Sequence, residues 1–71
     1  MNIAQFVEAR PYHPLADALG FMESSKEAEE YKIWQAFCQG AVYMMKHYGE
    51  LTEEQAATLK DDINGNGGAL Q

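Results

Sequence analysis

The chain has 71 residues, a net charge of −6 and a single cysteine, Cys38. That length allows one domain with a modest core, and one cysteine excludes an internal disulfide and fits a reducing compartment. The only cations besides histidine, Arg10, Lys26, Lys32, Lys46 and Lys60, are scattered, which argues against docking on nucleic-acid phosphates.

The first stretch, MNIAQFVEAR, has neither the basic start nor the continuous apolar run of a secretion signal. Ile3, Phe6 and Val7 stand at i, i+3, i+4 spacing, which predicts a short amphipathic helix over residues 2–9. RPYHP ends it, because the residue before each proline is pushed out of the helical region; Arg10 and His13 are therefore expected in extended or turn conformations. Pro14 suits the first position of a new helix. PLADAL then forms one or two turns, with Leu15 and Leu19 inward and Gly20 as the stop.

Ser24 followed by Glu27 reads as a capping box, and Glu27, Glu29 and Glu30 lie where a helix dipole favours negative charge. Lys46, His47 and Gly49 mark the other end. The expectation is one long central helix from about residue 25 to 48, about 36 Å in length. Thr52 and Gln55 form a second capping box, with Leu51 and Ala56 placed as a hydrophobic staple. The helix that follows covers residues 53–63, with Ala56, Leu59 and Ile63 on one face. The predicted fold is all-α: one small domain over residues 1–64, its long helix packed by short N-terminal and C-terminal helices, then a flexible Gly/Asn-rich tail over 65–71.

On a helical wheel, Ile33, Met44, Phe37, Tyr48, Ala41, Trp34, Met45, Cys38, Tyr31 and Val42 fill about half the circumference of the long helix. That front is broader than the stripe of somewhat over 100° usual for a one-sided helix. Core packing under the shorter elements, through Ile3, Phe6, Val7, Leu15, Leu19, Phe21, Leu51, Leu59 and Ile63, accounts for most of it. Gln35, Gln39, Lys32, Tyr43, Lys46, His47 and Glu29 form the opposite back. Tyr31, Trp34, Cys38, Ala41, Met45 and Tyr48 also recur at three- and four-residue spacing, so a homodimer across part of this face is a second expectation. The run from Ile33 to Met45 is interrupted by Gln35 and Gln39 and falls short of the roughly 20 residues of a membrane span, so a cytoplasmic protein without membrane contact is expected.

No residue pattern points to catalysis. Cys38 falls in the apolar arc, where a thiol is an inert small hydrophobe, and neither His13 nor His47 is placed to activate it. Asp62, Asn64, Asn66 and Gly67 match positions 1, 3, 5 and 6 of a calcium-binding EF-hand loop, but no position-12 glutamate follows. No metal and no cofactor are expected. Glu27 and Glu30 sit at the N-terminal end of the apolar arc, where carboxylates beside aromatic residues suit a protein partner with a basic surface.

The leading expectation is thus a small acidic, non-enzymatic protein-binding module. It would be a modulator or inhibitor of a larger complex, one that handles nucleic acid among the options, of the kind phages often encode. Its contact residues would be Glu27, Glu30, Tyr31, Trp34, Phe37, Met45 and Tyr48. The alternatives are a self-assembling helical subunit, and a protein that binds a small nucleotide-like ligand near Tyr12 and His13.

Overall fold

The structure, a computed structural model, describes residues 1–65. Four helices follow one another: α1 (Ile3–Ala9), α2 (Pro14–Ser24), α3 (Ala28–His47) and α4 (Glu53–Ile63), with no strand among the described residues. The all-α expectation holds, with α3 as the longest element. The tail expected over 65–71 lies outside the described residues except for Gly65, as do Asn66 and Gly67 of the calcium-loop spacing.

Three of the four helices, α1, α2 and α4, begin where a side chain satisfies amides that the helix leaves unpaired. Asn2 and Gln5 form a capping box at α1, a signal the sequence reading missed. Pro14 opens α2 as expected, and His13 caps it by accepting the Leu15 N–H at Nδ1, 3.0 Å away. Thr52 and Gln55 cap α4 reciprocally, each at 3.0 Å, and the staple residues Leu51 and Ala56 are both buried. At the end of α3, Gly49 adopts φ +82 while Glu50 N–H bonds the Met45 carbonyl and Gly49 N–H the Lys46 carbonyl. This pair of bonds is a Schellman motif, and its left-handed residue is the glycine.

One expected start is corrected. Ser24 does not cap α3; it is the last residue of α2, and its hydroxyl donates to the Phe21 carbonyl. α3 begins at Ala28 with Glu27 as N-cap and no side-chain cap bond. The cause lies in α2, which runs through Gly20 because Ala18, Leu19 and Met22 all bury beyond the first turns. Core burial at roughly 1.5–3 kcal/mol per large side chain outweighs a glycine penalty of about 1 kcal/mol. Gly20 is an exposed mid-helix residue rather than a stop.

The helices contact one another in a ring: α3 packs on α2 and on α4, and α1 closes the far side by touching α2 and α4. Phe6, Leu15, Leu19, Met22, Cys38, Val42, Leu59 and Ile63 fill the middle and are essentially inaccessible to water. α1 is tied to α4 by the Ile3 N–H, which donates to Asp62 Oδ2 at 2.8 Å. This ring leaves α3 with only two neighbours, and that determines which of its residues remain bare.

Candidate functional site

α2 and α4 straddle the line through Cys38, Val42 and Met45, the three buried residues of α3. The buried stripe is therefore narrower than the apolar arc and turned toward residues expected on the polar back. Gln35 and Gln39 face α4: Gln35 Nε2 donates to the Ile63 carbonyl at 2.9 Å, and Gln39 donates to the Asn64 side chain. Both glutamines dress the C-terminal end of α4, where carbonyls lack helical partners. The far half of the apolar arc consequently meets no neighbour. Ile33 is 67% exposed, Phe37 56%, Met44 45% and Tyr48 70%. Core packing accounts for six of the ten arc residues, Tyr31, Trp34, Cys38, Ala41, Val42 and Met45; the other four stay bare because α1, the remaining short helix, sits across the ring from α3.

The expected contact residues separate by burial. Phe37 and Tyr48 are exposed, as are Glu27 and Glu30. Trp34 is half-buried and holds two aromatic neighbours, Phe21 at 5.0 Å and Phe37 at 5.7 Å between ring centroids. Tyr31 is half-buried against the core, and Met45 is within it, so neither presents its body to the surface. The heptad-like seam through Tyr31, Trp34, Cys38, Ala41 and Met45 is likewise committed to this chain's own packing.

Phe21 belongs to the exposed cluster, at 53% exposure, although the sequence reading placed it in the core. Continuing the Leu15, Ala18, Leu19, Met22 periodicity past Gly20 puts Phe21 off the buried face, and that signal was available. Glu23, Glu27, Glu29 and Glu30, all exposed, lie in the segment that runs from Phe21 to Trp34, with Lys26 and Lys32 as its cations. Among the described residues the salt bridges all involve Glu50, at the other end of α3, so none of these four carboxylates is held in an ion pair.

The Tyr12–His13 segment is a structural clip. His13 Nδ1 accepts from Leu15, which places its proton on Nε2; that N–H faces Glu50 Oε1 at 3.4 Å, and the ring packs edge-on to Phe6. Arg10 reaches the same carboxylate at 3.6 Å and the Glu50 carbonyl at 3.2 Å. Tyr12 projects from the turn, 95% exposed. A groove of about 220 Å³ lies elsewhere, between α3 and α4, lined by Val42, Tyr43, Lys46, Glu53, Ala56, Ala57 and Lys60. It is smaller than the roughly 300 Å³ at which small-molecule pockets begin.

The remaining chemistry is sparse. Cys38 is buried, and desolvation pushes its thiol from the ordinary 9.0 up to about 11, which suppresses the nucleophilic thiolate. Asp62 and Asn64, the first donors of the calcium-loop spacing, are engaged by Ile3 and Gln39. Among the described residues no three His, Cys, Asp or Glu side chains gather to hold a metal ion, and no helix is long and apolar enough to cross a membrane. No protein-family model, curated protein or solved structure matches this chain.

Proposed function

We propose that this chain is a non-enzymatic protein-binding module that docks on a larger protein through Phe21, Trp34 and Phe37 and the carboxylates beside them. The observation that supports the reading is the pairing of an exposed aromatic cluster with Glu23, Glu27, Glu29 and Glu30, none of which has an ion-pair partner among the described residues. Aromatic side chains supply the large desolvated contact that dominates interface energy, and rim charges steer encounter and select the partner. The fitting partner presents an apolar ridge flanked by Lys or Arg. The module acts by occupying that ridge, as a modulator, and carries out no reaction.

Trp34 is the single tryptophan and lies inside the cluster, so its emission reports docking directly. The test is affinity capture at low and high salt, comparing the native chain with a Glu27→Lys, Glu30→Lys double variant. The native chain is expected to retain a partner at low salt, to release it at high salt, and to shift its Trp34 emission when the purified partner is added. Equal retention by a fully helical double variant would refute the acidic rim.

A further inference from the structure

The bare half of α3 has an internal symmetry. Ile33 and Tyr48 lie equally far from a centre between residues 40 and 41, and so do Phe37 and Met44. All four are exposed on one side of the helix, and the centre is Gly40 beside the half-buried Ala41. A Cβ added at Gly40 would meet nothing within 4 Å, so packing inside this chain gives no reason for a glycine there. A glycine in mid-helix costs about 1 kcal/mol relative to alanine, whereas close approach of a second helix backbone requires a small residue at the crossing.

We propose that this ridge is the interface of an antiparallel homodimer, α3 crossing α3 of a second copy at Gly40–Ala41 about a twofold axis. In that arrangement Ile33 meets Tyr48 of the other copy and Phe37 meets its Met44, each contact occurring twice, as a self-complementary twofold interface demands. The end charges select the same direction. Parallel pairing would set Glu29 and Glu30 against their own copies, while antiparallel pairing separates the two acidic ends by the length of the helix and opposes the helix dipoles. The area is sufficient. Large side chains offer roughly 150–250 Å² each, so Ile33, Phe37, Met44 and Tyr48 at their observed exposures leave roughly 500 Å² bare per copy. That is about a tenth of the 4809 Å² surface of the chain, and two such faces together reach the roughly 1,000 Å² at which specific interfaces begin.

The inference deepens the binding-module reading and rests on the same exposed face. In the dimer Phe37 is taken up by Met44 of the other copy, so each docking site is left to Phe21, Trp34 and the carboxylates beside them, and one dimer offers two such sites at opposite extremities.

The experiment is sedimentation velocity over a concentration series, with expected convergence at high concentration on twice the 8.0 kDa chain mass. Gly40→Leu should make the monomer more resistant to urea, because helix propensity rises where nothing is crowded, yet weaken the dimer at least tenfold. Phe37→Glu should give a folded monomer. Under mild oxidation a mixture of Ile33→Cys and Tyr48→Cys chains should form the mixed disulfide, and Ile33→Cys alone should not link to itself; sealed Cys38 does not compete. A native chain that stays monomeric throughout, or Ile33→Cys linking to itself in preference to Tyr48→Cys, overturns the antiparallel dimer. Neither result touches the binding-module reading, which stands or falls on the Glu27→Lys, Glu30→Lys capture.

Discussion

The two ends of α3 are built in opposite ways. Its C-terminal turn is closed by a Schellman motif at Gly49, a buried Leu51, a reciprocal cap at Thr52 and the clamp of Arg10 and His13 on Glu50. Its N-terminal turn has Glu27 as a cap without a side-chain bond, and exposed carboxylates around it. The closed end holds α1, α2 and α4 in place around α3. The open end gathers Phe21, Trp34 and Phe37, with exposed carboxylates that no ion pair holds. The fold therefore concentrates its local stabilising devices at one pole and leaves the exposed Phe21–Trp34–Phe37 cluster at the other.

Substitutions at the two poles sharpen that contrast. Leu51→Ala should have the largest effect, about 2–4 kcal/mol in urea unfolding, since it opens a cavity under the closed turn. Gly49→Ala should follow at about 1–2 kcal/mol, because alanine is strained at positive φ. Thr52→Ala should cost about 1 kcal/mol, against less than about 0.5 kcal/mol for Ser24→Ala at the open turn. Equal losses at Thr52 and Ser24 would restore the capping box that the sequence suggested at Ser24. In the opposite direction, Glu27→Asp should stabilise by about 0.5 kcal/mol, read as a small rise in melting temperature, through a cap bond that glutamate does not make.

What the sequence made legible follows the same division. Much of the closed end was readable residue by residue: Gly49 as terminator, Thr52 with Gln55, Leu51 with Ala56, and Leu15, Leu19, Ala56, Leu59 and Ile63 as inward positions, but not the clamp of Arg10 and His13 on Glu50. These signals are local, each satisfied within a few residues. The open end was misread because its outcome depends on distant packing. Ser24 and Glu27 have capping-box spacing, but burial of Met22 carries α2 to Ser24. Gln35 and Gln39 look like solvent-facing residues until α4 ends beside them and needs donors. The bare ridge of Ile33, Phe37, Met44 and Tyr48 was visible as apolar surface, but which half of the arc would be covered depended on α1 bridging α2 and α4 instead of lying on α3. Phe37 and Tyr48 were named as contacts on residue type alone; Phe21 and Gly40 needed the helix positions to acquire meaning.

The sealed thiol of Cys38 makes this chain its own clock. A thiol-specific reagent added to the native protein finds no thiol until the ring of helices parts, so the rate of labelling counts those openings. When reclosing outruns labelling, that rate gives the equilibrium fraction of time the core spends open; when labelling wins, it gives the opening rate itself. Substitutions at the two poles of α3 can thus be compared by timing one atom between them, without a tag or a denaturant.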